Sequence, residues 1–354
     1  MRILIVGGTG LISSELAQLA VQAGDSVTLV NRGRSAAAPP PAGAHVMHAD
    51  ATDAAVLRSA LRGMRLRGER FDAVIQFVAF GPEHVAEDVE TFAPLTDRYV
   101  LIATSASYRT ADRLAPTTED TPQENLYWEY ARLKQAGEEV LRERAASAGL
   151  PYVIVRPAHT YGPSKIPGFT ANSRLPWTLV DRMRRGADIV IPGDGTSLWT
   201  LTHARDLAAG VHGLLSSADA LGRAVHVTSD EALTWNAIYA EIAAAAGVDA
   251  ERYELQRVCV PSDALVAAAP SQAGSIYGDK MHPAVYDTSL IKSLVPGWSA
   301  QIPFEQGIRE AIAWFEADPD RQQVDADANA MLDRVAAIYR GALREAGRED
   351  SARP

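Results

Sequence analysis

The feature that most constrains this chain is an alternation. Short apolar runs, Ile3 to Val6, Ser26 to Val30, Val46 to His48, Ala73 to Phe77, Val100 to Ala103 and Tyr152 to Arg156, are separated by helical patterns such as Leu11 to about Ala23 and Ala54 to Arg62. Strands and helices that alternate in this way form a parallel sheet covered on both faces, so the fold class is α/β with a doubly wound sheet.

Three glycines, Gly7, Gly8 and Gly10, follow the first run, and Leu11-Ile12-Ser13 then opens a helix. Glycines let the backbone approach a ligand closely, while the free amides and positive dipole end of a helix start attract an anion. Strand, tight turn and helix within about 30 residues read as a phosphate-binding turn, located at the carboxyl ends of the strands where such sheets bind ligands.

At 354 residues, 47% of them hydrophobic, the chain can bury a sizeable core as one large unit or two domains. The 44 Asp plus Glu outweigh 34 Lys plus Arg; a formal charge of −10 argues against a nucleic-acid partner but leaves room for a local basic site. Cys259 is the only cysteine and forms no internal disulfide, no run approaches the ~20 apolar residues of a membrane span, and the apolar stretch of MRILIVGG is too short for a secretory signal. We expect a cytoplasmic protein with no membrane partner and no metal.

Organisation changes along the chain. The Pro- and Ala-rich segment from Ser35 to Gly43 reads as a surface loop. Beyond Tyr161 the periodicity becomes irregular, which marks substrate-specific structure. Helical patterns return at Ala204 to Leu215, Trp235 to Ala246 and Phe304 to Phe315, and the charged tail from Asp318 reads as a surface helix with a frayed end.

A NAD site places an acidic residue at the end of the second strand. Here that strand ends Val30-Asn31-Arg32-Gly33-Arg34: Asn31 can still bond a ribose hydroxyl, and Arg32 or Arg34 can pair with a 2′-phosphate. The cofactor is NADP or NAD, with the arginines weighing toward NADP. Asp50, with Ala51 beside it, can accept from an adenine amino group or cap the following helix.

Tyr130 and Lys134 are four residues apart in a helical segment and share one face. A free phenol, pKa ~10, is a poor base at neutral pH, and a nearby ammonium favours its ionised form. Upstream, an apolar strand empties into Thr104-Ser105-Ala106-Ser107-Tyr108, where Thr104, or failing it Ser105, offers a hydroxyl to a substrate oxygen.

With these motifs in view the chain can be placed. GGTGLIS resembles the G-x-x-G-x-x-G turn of short-chain dehydrogenases, with Ser13 at the usual third glycine. Together with FDAVIQFVAF, TSASY, YARLK, RPAHTYGP, PGDGTSLWTLTHARD and IPFEQGIREAIAWF, residues 1 to about 316 resemble an extended short-chain dehydrogenase/reductase of the NAD-dependent epimerase/dehydratase family. The resemblance implies a Rossmann-like dinucleotide domain over 1–162, joined by about 204–230 and 286–296. A smaller noncontiguous substrate domain would take 163–203, about 231–285 and 297–316, leaving 317–354 as a C-terminal helix and tail.

The same resemblance implies roles. Tyr130 is the acid/base, Lys134 its electrostatic partner and a contact of the nicotinamide ribose, and Thr104 the third catalytic member. Gly7, Thr9, Gly10, Leu11 and Ile12 take the pyrophosphate, Phe77, Val78 and Ala79 line the cofactor groove, and Pro157 and His159 the nicotinamide end. A homodimer through helices near 85–95 and 127–147 is also implied.

Departures from the family pattern concern the substrate. Gln76 and Phe80 replace a His and an Ala beside the reacting sugar, and Trp199 stands where many nucleotide-sugar enzymes place an arginine on the diphosphate. Ser105-Ala106 replaces the Asp-Glu of the 4,6-dehydratases, which disfavours dehydration. Phe80, Ser105, Ala106, His159, Trp199 and Tyr277 are the candidate substrate contacts, with Lys165 a candidate for a phosphate. The expected activity is epimerisation of a sugar or nucleotide sugar through a transient ketone. A NADPH-dependent ketone reductase or dehydrogenase is the alternative, and a non-catalytic binding protein of the atypical type is the third reading.

Overall fold

Successive residues of the first strand enter different cores. In β1 (Arg2–Val6), Ile3 and Ile5 join one hydrophobic cluster and Leu4 and Val6 another, all four fully buried. A strand with a core on each side needs apolar residues at every position, so this run shows no period of two. The structure is a computed structural model that describes residues 1–33, 39–113, 116–169 and 175–346. Arg34 and part of the loop after the second strand lie outside the described residues.

Six more strands complete the sheet: β2 (Ser26–Asn31), β3 (His45–His48), β4 (Ala73–Gln76), β5 (Tyr99–Ile102), β6 (Tyr152–Pro157) and β7 (Ala224–Val227). Their order is β7-β6-β5-β4-β1-β2-β3. All pairings are parallel, with Ile3 between Val27 and Ala73, Tyr99 opposite Tyr152, and Ala224 opposite Ile154. The chain steps outward from β1 to β3 and then returns to the other side of β1 as β4. That reversal opens a crevice at the carboxyl ends of β1 and β4.

Helices cover both faces. Leu16, Ala17 and Ala20 of α1 (Leu11–Gln22) pack on the Ile3 face together with Leu207, Ala208 and Val211 of the helix Ala204–Leu214. The Leu4 face is filled from α2 (Ala54–Leu66), α3 (Pro82–Phe92) and α4 (Glu129–Ala148) by Leu57, Leu61, Val85, Val89, Phe92, Leu141 and Ala145. Asp53 caps α2, accepting from the amides of Ala55 and Val56, and Gly149 ends α4 in the left-handed conformation.

The chain divides into two compact units. The first takes Met1–Thr160, Thr200–Asp230 and Val285–Gln301; the second takes Tyr161–Trp199, Glu231–Ala284 and the chain from Ile302 onward. The second unit has its own core, where the parallel strands Ile189–Pro192 and Arg257–Val260 bury Val190, Val258 and Val260 with Phe169 and Leu265. The C-terminal helix Ala326–Glu345 closes it with Met331, Leu332, Val335 and Ala336. The expected surface helix is fastened to this unit by more than its apolar face: buried Arg182 bonds Asn329 and Asp333. Among the described residues no helix is long and apolar enough to cross a membrane.

Candidate active site and dinucleotide cleft

The glycine turn is braced by the residue that replaces its third glycine. Ser13, 1% exposed, donates its hydroxyl to the Gly7 carbonyl at 2.7 Å and accepts the Gly10 N–H at 2.9 Å. Gly7 has φ of +90°, and a Cβ there would lie 2.7 Å from Val78 Cγ1. No L side chain fits such a position without strain. Leu11 and Ile12 form the first turn of α1 and direct their amides away from any intrahelical acceptor.

A cavity of about 390 Å³ opens over this turn. Gly7, Thr9, Gly10, Asn31, Arg32, Asp50, Ala51, Val78 and Phe80 line it, as do Val30, Ala49 and Thr52, which the sequence reading did not single out. They are neighbours of the expected residues at the ends of β2 and β3, so strand termini were the signal. Asn31 is buried and its carboxamide oxygen accepts from Gly33 N at 2.8 Å. Arg32 is exposed, with Nη1 3.9 Å from Asp50 Oδ2. Asp50 accepts from the amide and hydroxyl of Thr52 and does not cap α2, a task that falls to Asp53. A positive-φ glycine pressed against Val78, the amides of a helix start and a cleft over the turn fit a dinucleotide pyrophosphate.

Beside this cavity lies Lys134. It is 4% exposed, and Nζ donates to Ala79 O at 2.8 Å and Ile102 O at 2.7 Å. The Phe80 ring, which lines the cavity, stands 5.2 Å from Nζ. Burial draws the Lys134 pKa down to about 8 against the opposing pull of Glu138 and Asp88. Tyr130, one turn earlier, is half-buried with its ring 5.0 Å from that of Trp128.

The strand before Thr104 ends in a 3-10 turn, Ser105–Ser107, whose second N–H the threonine hydroxyl caps: Thr104 Oγ1 accepts from Ala106 N at 3.2 Å. Ser105 and Ala106 are buried, and Arg113 Nη2 lies 3.4 Å from each of their carbonyls. Pro157 ends β6, His159 begins the short strand His159–Tyr161, and both are half-buried outside the lining of the cavity. Phe77 packs against the Ile3-side core, its amide bonded to Val6 O.

Two expectations, those for Gln76 and Trp199, are corrected. Gln76 does not face a ligand: it is fully buried, donating to Asp88 at 2.9 Å and accepting from Val78 N at 2.9 Å, while Tyr99 donates to the same carboxylate. Trp199 is 1% exposed in the second unit, its ring tilted against that of Trp235 at 4.8 Å and its N–H donating to His282 O, so it presents no surface to a substrate. Tyr277, also in the second unit, donates its hydroxyl to Asp263 at 2.7 Å. His203 caps the helix Ala204–Leu214 by accepting from Arg205 N. Lys165 lies half-buried in the turn after Tyr161, its pKa drawn down to about 8 by burial and by Lys280.

The model of the NAD dependent epimerase/dehydratase family matches residues 3–227. A curated relative, the chloroplast stem-loop binding protein of 41 kDa b of Arabidopsis thaliana, is 24% identical over 258 residues, which is 70% of this chain but only 63% of that protein. Solved structures are similar in fold. An epimerase from Methanothermobacter thermautotrophicus has a TM-score of 0.71 at 18% identity, covering 91% of this chain and 94% of its own. The dTDP-glucose 4,6-dehydratase of Bacillus anthracis in complex with NAD gives 0.70 at 16%, covering 90% and 98%. The UDP-glucose 4-epimerase of Thermotoga maritima with UDP-glucose gives 0.68 at 18%, covering 90% and 99%.

Proposed function

Because the chain belongs to the NAD dependent epimerase/dehydratase family, we propose that it is an NAD(P)-dependent epimerase of a sugar or nucleotide sugar, working through a transient ketone. The observation that carries this reading is Lys134: a buried ammonium held by two main-chain carbonyls at the carboxyl end of the sheet, four residues after a half-buried phenol. With its pKa at about 8, roughly ten Lys134 side chains are charged for each neutral one at pH 7. A positive charge there favours the phenolate of Tyr130, so Tyr130 Oη can take a proton from a substrate hydroxyl and return it.

Two of the three Lys134 N–H groups are spent on Ala79 and Ile102, leaving one for a ribose hydroxyl. Thr104 Oγ1 accepts within its turn and keeps its own proton to donate to the substrate oxygen. When bound, the dinucleotide supplies hydride exchange at the nicotinamide. Gly7, Thr9, Gly10 and the amides of Leu11 and Ile12 would hold its pyrophosphate, Asn31 and Asp50 its adenosine, and Arg32 a 2′-phosphate if NADP is the form used. The homodimer implied by the sequence, through α3 and α4, is measured by sedimentation.

The test has two stages. Mass spectrometry of small molecules released from the denatured protein identifies the dinucleotide. The protein is then incubated with UDP-glucose, UDP-glucuronic acid and dTDP-glucose and the sugars are separated. Tyr130→Phe is expected to lower turnover about 10²- to 10⁴-fold with NADH affinity retained; unchanged turnover in that variant refutes the assignment. Stoichiometric change at the reduced-nicotinamide absorbance would instead favour the NADPH-dependent ketone reductase. The name of the Arabidopsis relative favours a second reading, recognition of a nucleic-acid stem-loop. Gel-shift titration of a stem-loop RNA tests it; against it stand the charge of −10 and the presence of both Tyr130 and Lys134.

A further inference from the structure

One side chain is shared between the turn that carries Thr104 and the helix that carries Tyr130. Asn125 is 1% exposed. Its Nδ2 donates to Ala106 O at 2.7 Å, inside the Thr104 turn, and its Oδ1 accepts from Tyr127 N at 3.1 Å and Trp128 N at 2.9 Å. Trp128 is the residue from which α4 starts, two positions before Tyr130. The two ends of the carboxamide face opposite chemistry, a carbonyl on one side and two N–H groups on the other, so its orientation is fixed by its surroundings.

A second brace holds the same two elements farther along. Glu138, two turns past Tyr130 and fully buried, receives Arg156 Nε at 3.0 Å and Nη2 at 2.7 Å. Arg156 also donates to Tyr108 Oη at 2.6 Å and Gln123 Oε1 at 2.8 Å, and Gln123 Nε2 donates to Ser107 Oγ at 2.8 Å. The far ends of turn and helix are therefore tied by charge. The near ends, where Thr104 and Tyr130 are, are tied by Asn125.

We propose that Asn125 is a positioning residue that sets the spacing between Thr104 Oγ1 and Tyr130 Oη, and so the geometry in which a substrate oxygen is held. This rests on the reading above that those two groups act on the substrate. Asn125→Asp is the informative variant: it is nearly isosteric, keeps an acceptor for Tyr127 and Trp128, and turns the donor facing Ala106 O into a second acceptor. The link to the turn is broken while the helix start stays capped. Asn125→Ala removes both.

The experiment compares wild type, Asn125→Asp, Thr104→Ala and the double variant. Turnover is measured on whichever of UDP-glucose, UDP-glucuronic acid and dTDP-glucose the wild type converts, together with NADH binding by fluorescence and amide hydrogen exchange of residues 103–108 and 127–134. In Asn125→Asp we expect kcat to fall about 10- to 100-fold with KM and NADH affinity nearly unchanged, and exchange to rise in 103–108 only. In the Thr104→Ala background the same change should cost little further, because the two act through one group. Full additivity of the two losses, a kcat within twofold of wild type, or a joint loss of NADH binding and melting temperature overturns the proposal. If the wild type converts none of the three nucleotide sugars, the reading of the reaction fails by itself. The exchange comparison still decides the placement: unchanged protection of 103–108 in Asn125→Asp overturns it.

Discussion

Replacing Lys134 by Met should make the nucleotide-free protein more stable near neutral pH while abolishing its proposed activity. The ammonium is 4% exposed and its pKa is drawn from 10.5 down to about 8 by burial. A group depressed in this way destabilises the folded state wherever both states are protonated, and that penalty disappears as pH rises from the folded toward the unfolded pKa. From linkage it is about 3 kcal/mol at pH 8 and about 0.8 kcal/mol at pH 10. Met conserves the length of the stem but leaves Ala79 O and Ile102 O without their donor, a loss of roughly 1 kcal/mol each. The variant should therefore lead by about 1 kcal/mol at pH 8 and trail by about 1 kcal/mol at pH 10. Urea unfolding of both proteins at half-unit pH steps over that interval reads the difference, and starting at pH 8 keeps clear of Asp88, whose carboxyl burial pushes up to about 7. A difference independent of pH, or one that moves the other way, refutes the placement of a charged amine in this pocket.

Four other substitutions probe the buried His226 and the cleft over the glycine turn. His226 is fully buried between Tyr108 Oη and Asp287 O with its pKa lowered by burial to about 4. Wild type should thus lose up to about 3 kcal/mol as pH falls from 6.5 to 4, a loss that denaturant titration should find missing in His226→Gln. Gly7→Ala forces a Cβ to 2.7 Å from Val78 Cγ1 at positive φ and should cost about 2 kcal/mol together with NADH affinity. Gly10→Ala, whose Cβ would meet only Ser13 Oγ at 3.4 Å, should spare thermal stability and weaken nucleotide binding alone. Arg32→Ser should reduce NADPH affinity about tenfold and leave NADH affinity intact; equal effects on both nucleotides would remove Arg32 from the site.

The sheet and the glycine turn could be read from the sequence because local rules decide them. A strand buried on both faces is apolar at every position, as Ile3 to Val6 and Ala73 to Ile75 are, and a left-handed turn under a packed side chain admits only glycine. That Tyr130 and Lys134 fall one turn apart on one helix was legible from their spacing alone. The direction of Gln76 was not, since whether a strand-end amide faces a ligand or a neighbouring helix depends on Asp88 and Tyr99, residues distant in sequence. Trp199 reads equally as pocket or core until Trp235 is seen beside it. Asn125 carried no periodic or motif signal: its importance arises only where the turn and α4 meet. The C-terminal helix reads as a surface helix because its charged face dominates the composition, and a narrow apolar stripe of Met331, Leu332, Val335 and Ala336 fixes its place.

The hydroxyl that Ser13 sets between Gly7 O and Gly10 N gives the cleft over the glycine turn a keystone of its own. The loop keeps its curvature before any guest arrives, so capture need not wait for the backbone to organise itself. Rapid mixing with NADH should then give one exponential whose rate climbs linearly with nucleotide concentration, without a plateau.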